Sequence, residues 1–289
     1  MSAPSPEGAL RRLGRFLEIQ NLGLNLPFAV AFLIAASGGW PTVRDTVLIL
    51  VAFVAARNAG HSFNRWADRD VDARNPRTQG RLLVTRPGAA RLALAFAAAN
   101  AILLVVCAAL LSPLALALVP VAVLLVLGYS YTKRFTAATT VFLGLVEAVT
   151  PAGVYAGVQD ALPLAAWIAI AAILLWGTAF EIIHSLGDLR SDTELGLRSL
   201  PRSLGSRASL GLLAACHATA LALFALFGEV AGLRPGYYAG IVALAGLVVV
   251  TDRWVFRAPS EAKRPFRMHF VMAAVFLLAV ILGFAGPVG

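Results

Sequence analysis

No charged side chain occurs between Leu92 and Thr132, an apolar run about twice as long as one bilayer crossing requires. A water-soluble core must be wrapped in polar side chains, and this chain has few of them. Of its 289 residues, 59% are hydrophobic and only 13% charged; soluble domains carry roughly 25% charged residues. Mean hydropathy is +0.80. These values exclude a soluble enzyme, a disordered chain and a secreted disulfide scaffold. Cys107 and Cys216 lie in apolar runs without any ligand spacing and read as small core residues. The expected class is an all-α protein that crosses the membrane many times.

A span needs about 20 mostly apolar residues. Nine such spans fit, near 18–38, 44–66, 88–111, 114–131, 137–158, 162–187, 208–230, 235–253 and 267–286. Ser112-Pro113 is the expected hairpin turn between the third and fourth. Arg11, Arg12 and Arg15 precede an apolar run resembling a signal peptide. That run continues uncharged from Ile19 to Val43 and lacks a small-residue cleavage site, so it reads as the first membrane helix. The whole of 1–289 is expected to form one domain, with 1–17 as an N-terminal cytoplasmic segment.

The net charge of +9 comes from 24 Lys and Arg against 15 Asp and Glu. With nine spans, all of these cations except Arg44 and Arg234 fall on one side of the membrane. That asymmetry is the topology signal of a membrane protein rather than a nucleic-acid footprint. It places the N-terminus and the basic loops in the cytoplasm, in a multi-pass protein of the cell (inner) membrane. No nucleic-acid motif and no obligate protein partner is evident; the bilayer is the expected surrounding.

Two spans break the apolar rule. The second carries Arg57, His61, Asn64 and Asp68 after an uncharged run from Thr46 to Ala56; the sixth carries Glu181, His184 and Asp188 after Phe180. Ionisable groups at membrane depth are costly and usually mark a site. Asn64, Asp68 and Asp72 are spaced i, i+4, i+8, which puts them on one helical face. Asp188 and Asp192 repeat the spacing four helices later, which suggests two related four-helix halves plus one helix around a central cavity. Like charges four residues apart repel, and a divalent cation reverses that sign; Mg²⁺ prefers such hard oxygen ligands together with phosphate oxygens and water. Arg57, Arg65, Arg74, Arg77, Arg81, Lys133, Arg134, Arg190, Arg198 and Arg202 crowd around the two motifs. For any one of these arginines a solvated or topological role is the plainer reading. Together with the carboxylates they fit a ligand with a diphosphate head and a hydrocarbon tail.

At these residues the chain resembles the UbiA superfamily of intramembrane prenyltransferases. Asn64, Asp68 and Asp72 fill its NxxxDxxxD signature, Asp188 and Asp192 its DxxxD signature, and Tyr129-Ser-Tyr131-Thr-Lys133-Arg134 its YxYxKR segment. The stretches Phe63 to Thr78 and Gly196 to Pro201 are most similar to the branch that prenylates 4-hydroxybenzoate and the acceptors of menaquinone synthesis. The resemblance implies Mg²⁺ held by Asp68, Asp72, Asp188 and Asp192 with Asn64 assisting, and an isoprenyl diphosphate as donor. It implies that Lys133, with Arg134, Arg77 and Arg198, neutralises the departing diphosphate. An electron-rich aromatic ring would then attack the allylic cation, whose charge the ring face of Tyr131 could stabilise.

Several positions depart from that branch: Glu18 and Asn21 where Lys and His are usual, His184 where Tyr is usual, Arg81-Leu-Leu83 for Arg-Pro-Leu, and Glu147 in an otherwise apolar fifth span. Asn21, Tyr131, Glu147, Glu181 and His184 are therefore candidates for the acceptor side. Glu147 reads equally as a protonated structural residue or as a partner of an acceptor hydroxyl. His184 beside Glu181 reads as base or structural partner. His217 and His269 fall outside any constellation and read as packing or interfacial residues. Two other functions compete: the same transfer onto haem, chlorophyllide or a glycerophosphate lipid, and a carrier or lipid-binding protein with no reaction at all. Loss of Mg²⁺-dependent turnover on replacing Asp68 and Asp188 would separate an enzyme from a carrier.

Overall fold

In lipid a backbone N–H or C=O has no water to bond, so each apolar run closes its hydrogen bonds internally as a helix. The computed structural model describes residues 22–74, 78–261 and 263–285. Its long elements are α1 (Leu22–Ala36), α2 (Val43–Ala67), α3 (Ala90–Leu111), α4 (Pro113–Phe135), α5 (Thr139–Gln159), α6 (Leu164–Glu194), α7 (Ser206–Val230), α8 (Pro235–Arg257) and α9 (Lys263–Phe284). Among the described residues eight of these are long and apolar enough to cross a membrane, and α1 is a shorter apolar helix. The expectation of nine spans thus meets eight full crossings plus α1.

The turn expected at Ser112-Pro113 is there, and its chemistry explains it. Ser112 is extended, with φ −159° and ψ 160°, and its hydroxyl accepts the Ala115 N–H at 3.0 Å as the cap of α4. The same hydroxyl donates to the Ala156 carbonyl at 2.7 Å, which ties the hairpin to α5. Pro113 follows in the first turn, where its missing N–H costs nothing.

Each helix packs against the next in the chain, and α9 packs against α1, so the nine elements close into a ring. Beyond its ring neighbours, α1 also packs against α5 across the interior. Its Ala29, Ala31, Phe32 and Leu33 are sealed from solvent and lipid alike. Phe28, Trp176, Phe224 and Phe276 converge on it from α1, α6, α7 and α9, with Phe224 and Phe276 ring centroids 4.5 Å apart. Leu92, Ile102, Leu124 and Val242 stand exposed on α3, α4 and α8, the aspect a bilayer would cover.

The α5 and α6 helices cross closely. A Cβ on Gly144 would overlap the Leu174 carbonyl oxygen, which is backbone and cannot swing aside. Gly144→Ala should therefore destabilise the protein by about 1–3 kcal/mol, read as a lowered midpoint of thermal unfolding in detergent. Among the described residues two of the spaces between the helices matter here. One is a wholly apolar groove of about 320 Å³ between α2, α3 and α4, and the other a narrower, partly polar chamber between α1, α5, α6 and α9.

Candidate active site

Successive long helices alternate in direction, so α2, α4 and α6 end at one side of the ring, and their C-terminal turns carry the acidic and YxYxKR segments. The α2 helix stops at Ala67, with Asp68 as its C-cap. The helical bonding continues through that junction: the Asp68 N–H reaches the Asn64 carbonyl at 2.9 Å and the Asp72 N–H the Asp68 carbonyl at 2.8 Å. Asn64, Asp68 and Asp72 therefore keep their i, i+4 stacking as the chain passes into the short helix Arg69–Arg74.

Asn64 Nδ2 donates to Asp68 Oδ2 at 2.9 Å and to Ser130 Oγ at 3.3 Å, which ties the motif to α4. Arg134 lies 3.5 Å from Asp68 Oδ1, donates to the Ala67 carbonyl at 2.6 Å, and stacks its guanidinium 5.1 Å over the Tyr131 ring. The Tyr131 ring meets Phe63 edge-on at 6.0 Å. Asp72 is buried, and Arg81 holds its Oδ1 at 2.6 Å. Arg81 is the residue that opens the unusual Arg-Leu-Leu run, and this pair gives it a structural task. Burial, and next the charge of Asp72, push the Asp68 carboxyl above its ordinary value, against the opposing pull of Arg134, Asn64 and Lys133. A cation binding the carboxylate form would lose affinity as pH falls through that raised value.

On α6, Asp188 is half-buried and Asp192 buried, and Asp192 Oδ2 makes no hydrogen bond. Lys133 projects from α4 between the two motifs. Its Nζ lies 3.8 Å from Glu181 Oε1, and its charge also acts on Asp192, Asp188 and Asp68. Tyr129 donates to the same Glu181 oxygen at 3.3 Å. Arg198 sits in the loop after α6, where its N–H bonds the Lys133 carbonyl at 3.1 Å and its guanidinium donates to the Phe135 carbonyl. With Arg202 and Gly196 it lines an open groove.

The candidates proposed for the acceptor side separate. Glu181 belongs to the charged cluster around Lys133. Glu147 lines the chamber deeper in the ring, hydrogen-bonded to Asn25 and within the field of Arg57. His184 packs among rings, 4.7 Å from Phe180 and 5.2 Å from Phe266. Asn21, Arg77 and the divergent Glu18 lie outside the described residues. His217 and His269, read as packing or interfacial residues outside any constellation, are packing residues, but they stand together rather than apart. Both are buried, their ring centroids are 6.1 Å apart, and both stand against Trp176. His217 Nδ1 lies 2.8 Å from Asp252 Oδ1, a pairing that joins α7 to α8. A histidine and an aspartate interrupting neighbouring apolar helices were the available signal, since neither is affordable at depth without a partner.

Among the described residues no three His, Cys, Asp or Glu side chains gather on one ion position. The donor set still fits a hard divalent ion, because Mg²⁺ takes only one or two protein carboxylates when phosphate oxygens and water complete its shell. The buried, unbonded Asp192 Oδ2 is an acceptor of the kind such an ion would satisfy.

A closed ring of apolar, membrane-length helices gathers its acidic and basic side chains at one end. The profile described as UbiA prenyltransferase family matches residues 25–278. The chain is 33% identical to the 4-hydroxybenzoate octaprenyltransferase of Azoarcus sp. strain BH72, over 84% of this chain and 83% of that one. It is 30% identical to a UbiA homolog from Aeropyrum pernix K1, whose apo structure superposes with a TM-score of 0.80 over 91% of this chain and 98% of the other. A UbiA homolog from Archaeoglobus fulgidus, bound to GPP and Mg²⁺, shares the fold with a TM-score of 0.69 at 21% identity, over 93% and 99% of the two chains. This chain belongs to the UbiA prenyltransferase family.

Proposed function

We propose that this protein transfers a polyprenyl group from an isoprenyl diphosphate to an aromatic acid, as a single domain over 1–289 in the cell membrane. The acceptor is of the 4-hydroxybenzoate or dihydroxynaphthoate type, and the reaction serves quinone biosynthesis. The relatives named 4-hydroxybenzoate octaprenyltransferase favour the first acceptor. One observation carries the reading. Lys133 stands among carboxylates of both acidic motifs, while Phe63, next to Asn64, opens onto a groove lined only by apolar side chains. That combination suits a diphosphate head joined to a hydrocarbon tail.

Asn64, Asp68, Asp72, Asp188 and Asp192 would hold Mg²⁺, which supplies charge to the diphosphate oxygens. Lys133, supported by Arg134, Arg77 and Arg198, adds positive charge where the leaving group becomes more negative. The allylic C–O bond breaks, and the carbon left cationic is attacked by the acceptor ring, which then loses its ring proton. The surrounding apolar helices keep water from capturing the cation. The cation asymmetry of the sequence supports a cytoplasmic location for this end of the ring.

The test is turnover of purified protein in lipid with geranyl diphosphate, Mg²⁺ and either acceptor, with and without EDTA. Prenylation of one acceptor, abolished by EDTA and restored by Mg²⁺, is expected. Diphosphate release without a prenylated product would refute the acceptor, and neither product nor release would refute the enzyme. The groove makes a second prediction. Ala101 lines it on α3, and Ala101→Phe should favour geranyl over longer donors by about tenfold or more, since the filled space no longer admits the tail. Competition between donors of different length measures this ratio.

A further inference from the structure

The α8 and α9 helices form a hairpin whose turn lies at the same end of the ring as the acidic motifs. On α8 the buried side chains Ile241, Leu244, Val248, Thr251 and Val255 recur at alternating three- and four-residue intervals, one face of the helix. The opposite face carries Val242, Val249, Arg253 and Arg257, all exposed. The α9 helix repeats the division. Its Met272, Phe276 and Ala279 are buried, while Arg264, Arg267, Val271, Leu278 and Leu282 make an exposed stripe. The two helices pack against each other in the wall of the ring. Each therefore offers the bilayer an apolar stripe that ends in two arginines, at the charged end of the protein.

These arginines differ from those around the active site. Arg81, Arg134 and Arg190 are held by Asp72, Asp68 and Glu194. Arg253, Arg257, Arg264 and Arg267 make no ion pair or side-chain hydrogen bond among the described residues. Of the hairpin's carboxylates, Asp252 is engaged by His217 at 2.8 Å, and Glu261 stands exposed in the turn. Topology asks for cations in a cytoplasmic loop. It does not ask that they continue the lipid-facing stripes of two packed helices. A guanidinium at the end of such a stripe stands at headgroup depth, where its fork of N–H groups matches phosphate oxygens.

We propose that the outer face of the α8–α9 hairpin binds an anionic glycerophospholipid, whose headgroup phosphate the arginines hold and whose acyl chains lie along the apolar stripes. The surface matches such an amphiphile at both ends: unpaired positive charge for the head, and Val249, Val271 and Leu278 for the hydrocarbon. A zwitterionic phospholipid brings the same chains and phosphate, but its own ammonium group opposes the attraction. An inorganic phosphate ion brings the charge without the chains. The site stands apart from the groove between α2, α3 and α4, and its occupancy does not depend on the reaction proposed above.

The experiment is native mass spectrometry of the full-length protein in detergent, mixed with phosphatidylglycerol and phosphatidylcholine of identical acyl chains. Wild type is expected to retain phosphatidylglycerol over phosphatidylcholine by about tenfold. Arg253→Gln, Arg257→Gln, Arg264→Gln and Arg267→Gln together should bring the two lipids within about twofold. A matched control replaces Arg86, Arg91 and Arg207, exposed arginines at the same end but on other elements, by Gln. It should keep the preference. Excess inorganic phosphate should leave the bound lipid in place. Thermal unfolding reports whether each variant is folded; if the fourfold variant is not, Arg253→Gln with Arg257→Gln, and Arg264→Gln with Arg267→Gln, should each lose part of the preference. No preference in wild type, an undiminished one in the folded hairpin variants, or an equal loss in the control overturns the inference. Displacement of the lipid by phosphate overturns it as well, since the arginines would then serve a soluble anion.

Discussion

Asp192→Asn should lower turnover by about 10²–10³-fold, while thermal stability without Mg²⁺ stays level or rises. The two effects point in opposite directions for one reason. Asp192 is 4% exposed, and its Oδ2 makes no hydrogen bond. Burying such a carboxylate is costly to the fold, the Lys133 charge and the Ser199 side chain answering only part of it, and the nearly isosteric amide removes its charge. If the carboxylate is kept for a divalent ion, the amide loses the ion's strongest attraction, and the Mg²⁺ concentration for half-maximal rate should rise by about 10–100-fold. A Mg²⁺ titration of initial rate, paired with thermal unfolding under EDTA, reads both quantities. Wild-type rate at wild-type Mg²⁺ would show that Asp192 holds no ion in turnover.

The parts of this molecule legible in its sequence are those governed by local spacing. Charge-free runs marked most of the helices within a few residues, although α6 continues to Glu194, well past its expected end at 187, and the i, i+4 interval of Asn64, Asp68 and Asp72 survives the end of α2 because the backbone bonding passes through it. What stayed hidden depends on which side of a helix faces which neighbour. In a soluble protein, polarity separates inside from outside; in a bilayer both sides are apolar, so the pattern is silent. Thus α1 and α3 look alike as strings of Ala, Leu and Phe, yet α1 is enclosed while Leu92 and Ile102 of α3 are exposed. For the same reason the sequence could not pair His217 with Asp252 across α7 and α8. Nor could it show that Arg81 reaches back to Asp72, or that Lys133 lies between two motifs four helices apart.

Lys133→Met should cost about 10²–10³-fold in turnover and about 3 kcal/mol in stability, and a second substitution separates the two losses. Glu181 is nearly inaccessible, with its side chain 5% exposed, and its partners are Lys133 Nζ at 3.8 Å and the Tyr129 hydroxyl at 3.3 Å. Removing the lysine leaves the buried carboxylate without the charge of its 3.8 Å partner, the costly half of breaking a buried pair. Lys133→Met with Glu181→Gln removes both charges, and the amide can still accept from Tyr129. Stability should then return to near the wild-type value, measured by thermal unfolding in the same lipid. Turnover should not return, because the positive charge offered to the departing diphosphate is still missing. If the double variant regains most of the rate, Lys133 serves only to neutralise Glu181, and the charge on the leaving group must come from the arginines. A rate that stays low in a restored fold assigns the lysine to the chemistry, since the two substitutions would then be additive in activity and compensating in stability.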